Sequence, residues 1–276
     1  MKISPAIKWS GSKRSQSEKI VSLMPDDIET YYEPFCGGCS VLYRLAKSSK
    51  KINRFVASDL NNDLISLWNT IKTSPVEISK EYNLLWNELN KDNNVERKNK
   101  FYFSIRERFN REKSPTDFMF IMRTTVNGMP RYNKSGDFNN AFHLTRTGIK
   151  PETLKTILLD WNKLFLEKNI CFINQSYEVV QSGVNDILYL DPPYAGTKGM
   201  YFGAIDYSKL WNWLKLQKGK WLLSFDGKTT TTDSTHPVPK ELYKNHVYLY
   251  SGNSSFRRII GKSNSEYVSE SLYKSY

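Results

Sequence analysis

The chain reads as an α/β protein in which a parallel sheet is interrupted by a mainly helical insertion. Residues 30–59 run strand, glycine turn, helix, strand, a βαβ unit whose crossover requires parallel strands. The same alternation resumes after residue 150. Between about 75 and 148 it is missing, replaced by charged helical periodicity and then by a stretch rich in turns. Residues 1–74 and 149–276 are therefore expected to form one sheet-bearing domain, and 75–148 an inserted one.

In chain order, Ser12-Lys13-Arg14-Ser15 opens a helix expected to run to about Leu23, ahead of Pro25. Thr30 to Phe35 reads as a strand entering Cys36-Gly37-Gly38, Ser40 to Ala46 as a helix, and Arg54 to Ser58 as a strand ending at Asp59. A helix from Asp63 to Lys72 stops at Ser74-Pro75, and a charged helical pattern follows to about Lys113. Ser114-Pro115-Thr116-Asp117 then restarts a helix, with serine as the cap and proline at its first position. Val126 to Gly148 holds Asn127-Gly128 and Asn133-Lys134-Ser135-Gly136 among several aromatics, which suggests loops and a hairpin. Pro151 to about Glu167 is helical, Ile170 to Asn174 and Asp186 to Leu190 are strands, and Ser208 to Lys218 is a helix. Trp221 to Phe225 is a further strand, and His246 to Tyr250 and Tyr267 to Tyr273 close the sheet.

Composition narrows the function classes. The 276 residues, 39% hydrophobic, hold enough apolar material for one substantial core. No stretch approaches the roughly 20 apolar residues of a membrane span, and Met1-Lys2-Ile3-Ser4-Pro5 lacks a signal-peptide apolar core, so a cytoplasmic protein is expected. Cys36, Cys39 and Cys171 are too few for a disulfide framework. Cys36 and Cys39 have CxxC spacing, but no second Cys or His pair follows, so small buried turn residues are expected rather than a metal site. Forty Lys and Arg against 28 Asp and Glu give a net charge of +12, which favours a polyanionic partner. Aromatics at 14% offer faces on which bases stack.

Asp191-Pro192-Pro193-Tyr194 is the most informative motif. It follows the apolar run Ile187-Leu188-Tyr189-Leu190, whose strand the prolines stop, so Asp191 stands at a carboxyl strand end, where open α/β sheets bind ligands. An amine on adenine or cytosine is a poor nucleophile, because its lone pair is delocalised into the ring. A carboxylate and a backbone carbonyl together draw it towards tetrahedral geometry. The Pro192 carbonyl is not committed to a helix ladder, and Tyr194 offers a ring to an extruded base. A capped turn after a strand is the competing explanation. Phe35-Cys36-Gly37-Gly38 is a glycine turn between strand and helix, a ligand loop or a purely steric connection. Asp59 ends the next strand, where a carboxylate can bind two ribose hydroxyls or can cap the helix beginning near Asn62. With neither a Walker pattern nor a complete GxGxxG, the ligand indicated is an adenosine-containing cofactor without a diphosphate, and S-adenosylmethionine fits.

Lys8-Trp9-Ser10-Gly11-Ser12-Lys13, Tyr32-Glu33-Pro34-Phe35-Cys36-Gly37-Gly38, Ser58-Asp59-Leu60-Asn61, Asn127-Gly128-Met129-Pro130-Arg131-Tyr132-Asn133, Ser176-Tyr177 and Asp191-Pro192-Pro193-Tyr194 together resemble the Dam-type adenine-N6 DNA methyltransferases, in the family's order and over nearly the whole chain. The resemblance implies a Rossmann-like S-adenosylmethionine-dependent sheet with an inserted target-recognition domain. It implies that Trp9, Lys13, Asp59 and Asp191 contact S-adenosyl-L-methionine, with Phe35, Gly37, Ser176 and Tyr177 lining the same pocket. Asp191, Pro192, Pro193 and Tyr194 would hold the adenine, and S-adenosyl-L-homocysteine would be the product, with no metal required. Partner and site follow in the same way: double-stranded DNA with an extruded adenine, Asn127 and Met129 beside the vacated space, Arg131 on a guanine edge, and Lys8 on the outer guanine of GATC. Arg257, Arg258 and Lys262, between two expected strands, would grip phosphates or form a solvated cluster. The expected state is a monomer in solution, with one or more copies on DNA.

The sequence departs from the family at Val126, where an aromatic usually precedes Asn-Gly, and at Ser12, usually Gly. It departs again at Asn140-Ala141-Phe142-His143-Leu144, which replaces a Val-Pro-Phe-Gly-Arg stretch that senses the thymine side of the target. GATC or a related short site is the leading target. An N4-cytosine methyltransferase more often carries Ser in place of Asp191, and protein-glutamine or RNA enzymes tend to carry Asn. A catalytically dead DNA-binding protein on the same scaffold is the alternative from another class.

Overall fold

The computed structural model describes residues 3–194, 205–229, 232–253 and 267–276. Seven strands form one sheet: β1 (Asp27–Glu33), β2 (Lys51–Asp59), β3 (Cys171–Asn174), β4 (Ile187–Leu190), β5 (Lys220–Thr229), β6 (Asn245–Asn253) and β7 (Tyr267–Lys274). Their order is β3-β2-β1-β4-β5-β7-β6. The first five are parallel, and β7 inserts antiparallel between β5 and β6. From β1 the chain moves outward to β2, whereas from β4 it moves to β5 on the opposite side. The carboxyl ends of β1 and β4 therefore flank the point at which the order reverses, the place where such sheets open a crevice.

All four residues of β4 are buried, as expected of a central parallel strand covered on both faces. Their alternation divides the core. Ile187 and Tyr189 join one apolar cluster with α2 (Ser40–Ala46), α3 (Asn62–Thr73) and α7 (Pro151–Glu167), while Leu188 and Leu190 join another with α8 (Tyr207–Leu216). The larger cluster centres on Trp68 and Trp161, whose rings stack at 5.2 Å. Tyr43 meets Trp161 at 4.5 Å, and Phe172 of β3 lies 5.9 Å from Trp68.

α4 (Pro75–Asn90), α5 (Val95–Glu112) and α6 (Pro115–Thr124) extend this same cluster with Tyr82, Tyr102, Phe109, Phe118 and Phe120. Side chains set their starts: Asn94 Oδ1 accepts from Arg97 N at 3.0 Å, and Ser114 caps α6 with Pro115 in its first turn. After α6 come a one-turn helix at Val126–Gly128 and a hairpin held by the bridges Tyr132↔Phe138 and Thr125↔Phe142.

Several expected boundaries move, and two of the shifts have a visible cause. The helix expected from Ser12 begins only at Ser17, as α1 (Ser17–Ser22), because Ser12 Oγ shares a 2.6 Å hydrogen bond with Ser40 Oγ and Lys13 reaches across the sheet to Asp191. Tertiary contacts here override local propensity. β1 starts at Asp27, paired with Lys51, and ends at Glu33 because Pro34 has no N–H to donate, which leaves Phe35 in the loop. Arg257, Arg258 and Lys262 lie outside the described residues.

Trp161 is fully buried, and its Nε1 donates to the Ser4 carbonyl at 2.8 Å. Trp161→Ala is expected to cost about 3–5 kcal/mol. Urea titration reads this as a lowered midpoint at unchanged slope.

Candidate active site

The loop from β1 to α2 is shaped by a close approach. Gly37 has φ +44°, and a Cβ there would lie 2.7 Å from Trp9 Nε1, so the indole rests directly on the glycine backbone. Cys36 N donates to Ser58 O at 3.0 Å, tying the loop to the end of β2, and Gly37 O accepts from Trp68 Nε1 at 3.0 Å. Cys36 and Cys39 are buried free thiols, and Cys39 takes the left-handed conformation that starts α2. Among the described residues no cluster of three or more His, Cys, Asp or Glu is gathered.

Asp59 is not a helix cap. That role falls to Asn61, whose Oδ1 accepts from Leu64 N at 3.1 Å. Asp59 accepts from Gly37 N at 3.2 Å and from Asn61 N at 3.0 Å, so it braces the glycine loop and faces the crevice. Burial pushes its carboxyl up to about 6, against the backbone N–H groups that favour the charge.

Across the crevice, Lys13 Nζ lies 2.7 Å from Asp191 Oδ1 and 2.9 Å from Oδ2, and donates to Gly11 O at 3.1 Å. Glu270 Oε2 of β7 stands 3.4 Å from the same ammonium. The Tyr194 hydroxyl is 3.3 Å from Asp191 Oδ1 and 3.2 Å from Glu270 Oε2, and its ring lies 5.0 Å from Lys13 Nζ. Burial pushes the Asp191 carboxyl above its usual range, and Lys13 opposes the shift. Tyr207 Oη donates to Pro193 O at 2.9 Å, which holds the diproline turn. Phe35 and Tyr177 face each other at 5.2 Å, and Ser176 Oγ accepts from Glu178 N at 3.2 Å.

These groups line one cavity of about 260 Å³. Trp9, Lys13, Phe35, Gly37, Asp59, Ser176, Tyr177 and Asp191, separated widely in sequence, all border it, as do Pro192, Pro193 and Tyr194. Glu33, at the end of β1, borders it too; the sequence places it within the 32–38 motif without a role of its own. Its side chain accepts from Tyr31 Oη at 2.5 Å, and burial pushes its carboxyl up to about 8. Glu270 had no motif to announce it.

Of the residues expected to meet nucleic acid, Lys8 adjoins the lining residue Trp9, and Met129 and Arg131 adjoin the lining residue Pro130. Gly128, at φ +62°, packs on Lys8, where a Cβ would lie 2.8 Å from Lys8 O, and Gly128 O accepts from Ser10 N at 2.9 Å. The 8–13 segment thus runs from the Asn127-Gly128 turn, with Asn127 at φ +57°, to Asp191. Met129 is half-buried and Arg131 exposed. Lys8 Nζ is buried without a hydrogen-bond partner among the described residues. Asn140, read in the sequence only as a departure, clamps the turn by donating to Val126 O and Met129 O, each at 3.0 Å. Arg123, also missed, is half-buried and donates from Nη2 to Pro5 O and Ala6 O, joining α6 to the start of the chain.

The cavity opens at the switch point of the parallel strands, between a glycine loop and an Asp-Pro-Pro-Tyr strand end, where sheets of this kind bind nucleotides. The family profile described as D12 class N6 adenine-specific DNA methyltransferase matches residues 9–232, and the chain belongs to that family. It is 29% identical over 211 residues to the type II methyltransferase M.MjaIII of Methanocaldococcus jannaschii, covering 70% of each chain. It is 27% identical to M.CviBI of Paramecium bursaria Chlorella virus NC1A, covering 79% of this chain and 81% of that one. With the DNA adenine methylase of Vibrio cholerae it shares 31% identity, over 68% of this chain and 64% of that one. Among solved structures, the rRNA methyltransferase aviRa of Streptomyces viridochromogenes aligns over 96% of this chain and 86% of that one, at 12% identity and a TM-score of 0.39.

Glu33 makes a pH prediction. Its carboxyl rises from 4.5 to about 8 on folding, so between those values the native state holds more protons than the unfolded chain. The stability it contributes is full below 4.5 and is lost as pH rises through about 8. Urea unfolding between these limits should show wild-type stability falling with pH, and Glu33→Gln should flatten the fall.

Proposed function

We propose that this chain transfers a methyl group from S-adenosyl-L-methionine to N6 of an adenine extruded from double-stranded DNA, leaving S-adenosyl-L-homocysteine. The observation that carries the proposal is that Asp191 and Pro192 border the same cavity as Asp59, Trp9 and the Gly37 loop. Amine acceptor and nucleoside site thus share one space. The residues fit the cofactor: the Asp59 carboxylate suits two ribose hydroxyls, the Phe35 and Tyr177 rings suit an adenine, and the Gly37 backbone admits close approach.

When bound, S-adenosylmethionine supplies a methyl group on a sulfonium, and the sulfur keeps the bonding pair as the methyl leaves. The protein's part is alignment and charge. The Asp191 carboxylate and the Pro192 carbonyl accept from the incoming N6 amine, turning its lone pair out of the ring. No hydrogen bond to the Pro192 carbonyl is made among the described residues. As the N–C bond forms, N6 becomes cationic and sheds one proton, for which the Asp191 carboxylate is the adjacent acceptor. Tyr194 supplies a face for the extruded base.

Residues 75–148 act in the proposal as the target-recognition part. In the proposal Lys8, Asn127, Met129 and Arg131 face the DNA, and Arg131 reads a guanine edge, with GATC or a related short site as the target. The net charge of +12 draws the chain to the phosphates. The enzyme works as a monomer in solution and one or more copies load on DNA.

Labelled methyl transfer to duplex DNA followed by nucleoside analysis should yield N6-methyladenine. N4-methylcytosine, or no transfer with cofactor binding intact, would overturn the proposal. Asp191→Ala is expected to abolish transfer, and Arg131→Ala to relax sequence choice by about 1–3 kcal/mol. An equal loss on every sequence would assign Arg131 to phosphate instead.

A further inference from the structure

Asp191 is a crowded amine acceptor: Lys13 lies on both of its oxygens, at 2.7 and 2.9 Å, and the Tyr194 hydroxyl is 3.3 Å from Oδ1, so three of about four acceptor sites are taken. Drawing Lys13 away makes the carboxylate a better acceptor for an incoming amine. Moving a nearly buried ammonium aside without a second acceptor leaves it uncompensated, which is strongly unfavourable in such surroundings. The second acceptor is present. Glu270 Oε2 lies 3.4 Å from Lys13 Nζ, and the Tyr194 hydroxyl, with one proton to give, stands between the two carboxylates.

The backbone delivers Glu270 to this place by an irregularity. Between the pairs Phe225↔Ser271 and Lys228↔Ser269, two residues of β5, Asp226 and Gly227, face the single residue Glu270 of β7. This is a β-bulge, a device that re-aims a side chain beside a site. Gly227 is required there, since a Cβ would fall 2.6 Å from Glu270 Cα and closer still to Ser269 O.

We propose that Glu270 is a positioning residue that takes over the Lys13 ammonium when the target amine arrives, freeing an Asp191 oxygen to accept from it. The inference rests on the methyl-transfer function proposed above. The charged and titratable groups that face Asp191 are Lys13 from the amino-terminal segment, Glu33 from β1, Tyr189 from β4, Tyr194, and Glu270 from β7. Of these, Lys13 favours the Asp191 carboxylate and Glu270 disfavours it. Removing the Glu270 charge must therefore make Asp191 more acidic while stranding Lys13 on it.

The experiment compares wild type, Glu270→Gln and Glu270→Asp in two measurements. Carbon-13 NMR of the aspartate carboxylates in the free enzyme, with Asp191→Asn to assign the signal, follows Asp191 titration without DNA or cofactor. Rates on duplex DNA across the pH range give kcat and KM. Glu270→Gln should lower the Asp191 titration point, move the acid limb of kcat down with it, and reduce plateau kcat about tenfold, the scale of one charged hydrogen bond, with KM for DNA unchanged. Glu270→Asp should recover part of kcat. An unshifted titration, or an unreduced plateau kcat, would overturn the proposal even if the variant is less stable. If the titration responds to Glu270 while wild type methylates no adenine, the methyl-transfer function fails and the Lys13 geometry stands.

Discussion

Lys13 and Asp191 are separated by 178 positions, and their ion pair is the contact on which the site depends. Asp191 ends the central strand, and Lys13 belongs to a segment with no regular structure of its own. The pair pins that segment over the crevice, and Trp9 then covers the Gly37 loop. A lysine this buried is rare unless paired, so the segment and the strand end hold each other in place. The same stretch continues back through Ser10 and Lys8 to the Asn127-Gly128 turn, where backbone contacts replace charge. One strap of chain thus touches both the group that would receive an amine and the turn that would meet a base.

Burial gives this site its electrostatic character. Glu33, Asp59 and Asp191 converge on one cavity, and desolvation raises all three. Their shifts differ because their partners differ. Asp59 takes backbone N–H groups, Asp191 takes an ammonium, and Glu33 takes only a tyrosine hydroxyl among its side-chain partners, so burial raises Glu33 to about 8.

Much of this was legible in the residues because it is written in local grammar. The order of strand, glycine turn and helix up to residue 46, the Ser114-Pro115 cap and the diproline stop after Leu190 are short-range signals, and each is present, though the first strand begins and ends earlier than expected. The cavity residues were legible for another reason: separate motifs, taken in order through a family resemblance, meet on one cavity. The features that escaped depend on contacts between distant parts of the chain. Ser12 and Lys13 look helical until Ser40 and Asp191 claim them. Glu270 sits in an unremarkable strand, and only the bulge at Asp226-Gly227 aims it. Arg123 and Asn140 act on backbone carbonyls, which no side-chain pattern advertises. That Asp59 is not the helix cap became visible only with the neighbouring Asn61 in that role.

The central claim is that Lys13 and Asp191 act as one unit that shapes the cofactor site. A double-mutant cycle on S-adenosylhomocysteine affinity, measured calorimetrically without DNA for wild type, Lys13→Met, Asp191→Asn and the double variant, addresses it directly. The single changes should each weaken binding and the double should weaken it little further, leaving a coupling on the order of 1–2 kcal/mol. Additive losses, or unchanged affinity in the single variants, would contradict the claim.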